Sequence, residues 1–150
     1  MADQAKRRGF TLALVAAAAL LGGCAGMGAG MGSAKERVVI QVSDGDPKVW
    51  NLALNVVDNV RTNYAKRNID AQVQIVAFGP GIQMLKDDAV VASRVRDAMK
   101  KGDAQMVACE NSMQRFKLSR NVMLDNVTYV DAGVIHIVER QRKGWVVIRP

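Results

Sequence analysis

The sequence predicts an α/β domain in which a mostly parallel, five-stranded sheet carries helices on both faces. Three observations lead there. Short apolar, β-branched runs alternate with stretches of helical periodicity from about residue 36 to the end. The strand runs are bounded by turn residues and too short to be helices. Strand and helix follow one another throughout, the order that builds a parallel sheet with covered faces.

Each element has a local reason. Arg37–Ser43 (RVVIQVS) reads as a buried strand, ended by Asp44-Gly45-Asp46-Pro47. Asp46 suits a helix cap and Pro47 the first helical position. Val49, Leu52, Ala53, Val56, Val57, Val60 and Tyr64 then recur at helical spacing, so a long amphipathic helix is expected to about Arg67, with Asn68 as its stop. Ala71–Phe78 is a second strand, broken sharply by Gly79-Pro80-Gly81. Ile82, Met84 and Leu85 form a short apolar stretch with no clear period. Asp87 and Asp88 read as capping residues before a helix over Ala89–Lys101, which Gly102 closes. Ala104–Ala108 is a third strand with Cys109 at its end, and Glu110–Phe116 starts a helix. Val127–Val130 is the fourth strand. Gly133–Arg142 is a helix with Val134, Ile137 and Val138 inward, and Trp145–Ile148 is the last strand.

Ahead of this domain lies a different kind of sequence. Lys6, Arg7 and Arg8 give a basic start, and Phe10–Leu21 is apolar apart from Thr11. Twelve residues are too few to span a bilayer, which takes about 20, but they suit the apolar core of a secretory signal. Leu21-Gly22-Gly23-Cys24 follows and resembles the bacterial lipobox. Residues 1–23 are therefore expected to be a lipoprotein signal peptide, with Cys24 the lipidated residue. Residues 24–35 form a Gly-rich tether that cannot pack a core, and residues 36–150 form the folded domain. The expected location is the cell envelope, lipid-anchored and facing the periplasm. Ala25 in place of Asp after the cysteine points to the outer membrane, as the lipobox resemblance implies.

Charge and cysteine usage narrow the function. The whole chain carries +7, and loss of Asp3, Lys6, Arg7 and Arg8 leaves 18 basic and 13 acidic residues, a net +5. The basic residues are scattered and aromatic residues are few, so nucleic-acid binding is not expected. With Cys24 lipidated, Cys109 stands alone and cannot form an internal disulfide. One histidine and one thiol do not make a zinc site, and neither the phosphate-gripping loop nor the dinucleotide fingerprint is present, so no cofactor or metal is expected.

Cys109 is the candidate nucleophile. It stands where a strand meets a helix, and a helix start favours a thiolate. Ser112 can add a hydrogen bond, while Glu110 opposes the charge. Two roles stay open for Cys109: a reactive thiol, or a small core residue. In parallel sheets ligands gather beyond the carboxyl ends of the strands. Candidate pocket residues are accordingly Asp44, Asp46, Trp50 and Asn51 after the first strand, Gly79, Pro80 and Gly81 after the second, and Glu110, Asn111, Ser112 and Met113 after the third. His136 lies mid-helix between two isoleucines and reads as a packing or surface residue rather than the partner of Cys109.

Several short runs, in order, carry a family resemblance. Ser43–Asn55, Ala77–Gly81, Ala108–Met113, Asp131–Val134 and Gln141–Trp145 are similar to the exported branch of the DsrE/DsrF-like family. The resemblance implies a flavodoxin-like, three-layer domain that assembles into homo-oligomers such as trimers or hexamers. It also implies sulfur handling, with sulfane sulfur held as a persulfide on the strand-end cysteine that Cys109 matches, passed between donor and acceptor proteins in the manner of a sulfurtransferase. The alternative is a non-enzymatic module that binds a small ligand or protein, with Cys109 only packing. Studied sulfur carriers of this kind are cytoplasmic, whereas this chain carries an export signature, so its donor and acceptor would differ.

Overall fold

The computed structural model describes residues 35–150. The expected signal peptide, the expected lipidation site Cys24 and nearly all of the expected tether lie outside them. The chain runs β1 (Lys35–Val42), α1 (Pro47–Ala65), β2 (Asp70–Ala77), a 3-10 segment (Gly79–Leu85), α2 (Ala92–Lys100), β3 (Gln105–Cys109), α3 (Glu110–Arg115), a 3-10 turn (Arg120–Val122), β4 (Thr128–Val130), α4 (Gly133–Arg142) and β5 (Val146–Ile148). The five strands form one sheet in the order β4-β3-β2-β1-β5, and every pairing is parallel. The predicted α/β class and strand set are therefore present.

The order explains the layers. From β1 to β4 the chain steps outward in one direction, and right-handed crossovers keep α1, α2 and α3 on one face. The last step returns across the sheet to pair β5 with β1, so the same handedness puts α4 on the opposite face. The larger core lies under α1 and α2, where Ile40, Ile75, Met84, Leu85 and Met106 are fully buried. The smaller core, under α4, holds Val39, Val76, Val107, Ile137 and Trp145.

Local signals act as the sequence suggests at α1. The Asp46 carboxylate accepts the Lys48 amide at 2.8 Å, and Pro47 opens the helix. Asn68 takes a positive φ of 56° beyond its end, a conformation that asparagine tolerates better than most residues. Among the described residues no helix is long and apolar enough to cross a membrane.

Two expectations are corrected. Asp87 and Asp88 do not cap α2. That helix starts later, with Val91 at the cap position and no side-chain cap bond. Asp88 instead pairs with Lys86 at 2.9 Å, and the Asp87 amide bonds Val122 O. The 3-10 segment and its antiparallel bridge from Lys86 to Met123 occupy the chain where the cap was expected. In α4, Ile137 is buried, but Val134 and Val138 are 52% and 39% exposed. The inward stripe runs instead through Gly133, His136, Ile137 and Arg140. The helix is rotated because Gly133 must press against β2 and β3 and because His136 reaches the polar side chain of Gln74.

Candidate functional site

Cys109 is the last residue of β3 and the residue before the first turn of α3. Register with Val130 on β4, and of Val76 with Val107, turns its side chain to the α4 face of the sheet. There it meets the start of a second helix. A Cβ on Gly133 would lie 3.2 Å from the Cys109 Cβ and 3.1 Å from the Phe78 Cβ, so only glycine lets α4 approach this closely. The thiol thus sits where α3 and α4 both begin, on opposite sides of one strand end.

This setting governs its acidity. Burial is the largest single influence and opposes the charged form. The Ser112 hydroxyl and the amides of Gly133, Ser112 and Asn111 act together in the other direction and prevail, so the thiol is held below its ordinary value. The Asn111 amide contributes least, being already bonded to Asp131 O at 3.1 Å. The Ser112 hydroxyl is held in position by the loop after β2. Its Oγ accepts the Gly79 amide at 2.7 Å, leaving the hydroxyl proton for sulfur. When protonated, Cys109 Sγ lies 3.8 Å from Asp131 O, the partner for its S–H.

The opposition expected from Glu110 is offset. Arg120 pairs with the Glu110 carboxylate, and its guanidinium stacks 4.3 Å over the Tyr129 ring. A cavity of about 530 Å3 is lined by Val130, Asp131, Ala132, Ile135, His136 and Glu139; Cys109 does not line it but contacts one lining residue, Asp131, through the carbonyl 3.8 Å from Sγ.

The other predicted pocket residues divide into two groups. The loops after β1, β2 and β3 do meet. Gly79 bonds Ser112, Gly45 lies against Pro80, and Gly81 lies against the Val42 carbonyl. The side chains around them mostly hold backbone. Asp44 accepts the Asp46 amide at 2.8 Å, and its carbonyl accepts the Trp50 indole N–H at 2.7 Å. Asn51 donates to Pro47 O at 3.0 Å and accepts from Arg94 at 2.8 Å. Trp50 and Met113 are buried in the larger core.

Gly133 and Asp131 are the site residues that sequence reasoning missed. The glycine that opens α4 was a signal, but its contact with Cys109 depends on strand order. His136 Nε2 lies 3.1 Å from Gln74 Oε1 and 3.2 Å from Arg140 Nε; the tautomer that accepts from Arg140 has no proton there for Gln74, so this nitrogen bonds one of the two at a time, and neither contact is to Cys109. Burial first, and the Arg140 charge second, lower its pKa and keep it neutral. Among the described residues no three His, Cys, Asp or Glu side chains converge as a metal site.

Comparison with known proteins agrees with this architecture. The model of the DsrE/DsrF-like family matches residues 1–150. A solved structure of a protein of unknown function from Methanobacterium thermoautotrophicum is 30% identical, with a TM-score of 0.68 over 77% of this chain and 99% of that one. No curated protein matches the chain significantly. The family model spans the whole chain, and the solved relative shares its fold at 30% identity; this protein belongs to the DsrE/DsrF-like family.

Proposed function

We propose that this protein is an envelope-anchored sulfur carrier that holds sulfane sulfur as a persulfide on Cys109. One observation carries the reading: a thiol at a strand end in a DsrE/DsrF-like chain, with a hydroxyl and helix-start amides that lower its pKa despite burial. A thiolate is the nucleophile that sulfur chemistry needs. It attacks a sulfur of an inorganic polysulfide. The new Sγ–S bond forms as a donor S–S bond breaks, and the shortened polysulfide leaves with the electron pair. In delivery an acceptor thiolate attacks the terminal sulfur, and Cys109 departs as thiolate. Both steps balance without an outside oxidant. Ser112 and the amides that favour the thiolate favour the anionic persulfide for the same reason.

The test is polysulfide loading of the purified protein followed by intact mass. The expected product is one added sulfur atom, delivered on to a small thiol. Cys109→Ser abolishes both loading and delivery. Equal loading of the serine variant removes Cys109 from the mechanism. A thiol that resists alkylation up to high pH favours the binding-module alternative.

Anchoring through Cys24 belongs to the same proposal and rests on the Leu21–Cys24 pattern behind a basic, apolar leader. In a bacterial host, metabolic labelling with an alkyne fatty acid is expected to mark the protein and place it in the membrane fraction. Cys24→Ser loses the label. A label that survives this change rules out lipidation at Cys24.

A further inference from the structure

The amino ends of β2 and β3 carry a feature that the thiol site does not use. A cavity of about 490 Å3 there, a volume ordinary for small-molecule sites, is lined in part by Arg61, Gln72, Gln74, Gln105, Arg140 and Trp145. Three of these are glutamines on the α4 face of the sheet, Gln72 and Gln105 exposed and Gln74 buried. Gln74 is only 4% exposed. Burying its amide is costly unless it is bonded. It is bonded: Gln74 Nε2 donates to Gln105 Oε1 at 2.6 Å, and Gln105 Nε2 donates to Thr128 at 2.9 Å. These bonds hold the amide floor in place.

The two arginines differ in a way that identifies the ligand's charge. Arg61 is occupied, with Asp70 at 3.7 Å, Asp103 at 3.5 Å and the Ala71 carbonyl also bonded. Arg140 is held in place but has no counter-ion among the described residues. Its Nε donates to His136 at 3.2 Å, and its guanidinium lies 5.1 Å over the Trp145 ring. Its two terminal amino groups make no bond to the described protein. A guanidinium oriented by stacking and by one hydrogen bond, with its fork open, matches a carboxylate. His136 on the same helix is neutral and does not compete for the anion. Of the two arginines that line the groove only Arg140 is without a counter-ion among the described residues, and one open guanidinium suits a single carboxylate, since the charge of Asp70 is shared between Lys35 and Arg61.

We propose that this groove is a second binding site, which takes a small organic monocarboxylate. The carboxylate seats on Arg140, and polar groups behind it bond the exposed amides of Gln72 and Gln105. The site lies at the opposite end of the strands from Cys109 and stands apart from the sulfur reading.

The chain's two tryptophans provide the test. Trp145 lines the groove, while Trp50, bonded to Asp44 O at the other end of the sheet, serves as an internal reference. The purified protein is titrated with N-acetylglycine, which has one carboxylate and one amide, and the indole N–H signals are followed by NMR. The Trp145 signal is expected to shift saturably while Trp50 stays still. The neutral N-acetylglycinamide and the Arg140→Gln variant each bind about tenfold more weakly or worse. An unmoved Trp50 signal in Arg140→Gln shows that the fold is intact, and Arg140→Lys restores only part of the affinity. The proposal is overturned by a linear, non-saturating response, by equal binding of the neutral amide, or by Arg140→Gln binding like the parent. Inorganic phosphate binding more tightly than N-acetylglycine overturns the carboxylate assignment.

Discussion

Gly81→Ala is expected to lower stability by about 3 kcal/mol, enough to move the melting temperature down by about 10 °C. The added methyl carbon would lie 2.4 Å from the Val42 carbonyl oxygen, 2.8 Å from its carbon and 3.1 Å from the Ser43 nitrogen. All three atoms are backbone, so no rotamer change relieves the clash. The 3-10 segment must retreat from the end of β1. That movement strains the bond from the Phe78 amide to Val42 O, now 3.0 Å, and pulls at Gly79, whose amide holds Ser112. The φ of Gly81 is not in the left-handed region, so the requirement is one of space. Gly102→Ala is the control. It has a φ of +71° and nothing within 4 Å of the added carbon. Its expected cost is the conformational penalty alone, about 1 kcal/mol. Thermal and urea unfolding of both variants compare the two effects. A Gly81→Ala midpoint no lower than that of Gly102→Ala would show that the loop yields without cost.

Ser112→Ala is expected to have the largest effect on the thiol itself. The substitution removes the strongest of the influences that favour the thiolate and leaves the desolvation that opposes it. The pKa of Cys109 then rises toward its ordinary value, and the rate of alkylation at neutral pH falls about tenfold, the effect of one hydrogen bond to a charged group. Stability shows the same linkage. In the parent the folded state lowers the thiol's pKa, so the fold gains stability as pH rises from the folded pKa toward the unfolded one. That gain is lost again as pH falls back through the folded value. Ser112→Ala narrows this window. It also leaves the Gly79 amide without its acceptor, at a cost of about 1 kcal/mol independent of pH. Iodoacetamide rates and urea midpoints across a pH series separate the two contributions. An unchanged alkylation profile, with lower stability alone, would mean that Ser112 serves the loop and not the sulfur.

Much of this architecture was legible from neighbouring residues. The Asp46-Pro47 start of α1, the strand runs and the helix over Gly133–Arg142 all rest on contacts within a few positions, and the structure has them at nearly the expected places. The strand-end position of Cys109 follows from the same local pattern. Where local signals competed, they misled. Asp87 and Asp88 are good capping residues in isolation, but the 3-10 segment before them extends into a bridge with Met123, and α2 begins only after Val91.

By itself the sequence determined the class of fold, the order of its elements and the one thiol of residues 36–150 on which chemistry could centre. These depend on periodicity, turn residues and composition, which are properties of short stretches. Only the tertiary structure decided what surrounds that thiol. Gly133 lies against Cys109 because β4 pairs beside β3 and α4 leaves the end of β4 on the opposite face. Arg120 comes to Glu110 across a loop, and Gln74 meets His136 from 62 residues away. The inward stripe of α4 differs from the expected one for the same reason. Its periodicity identified a helix, but the face that turned inward was chosen by a close glycine contact and a buried amide, both supplied by strands far away in sequence.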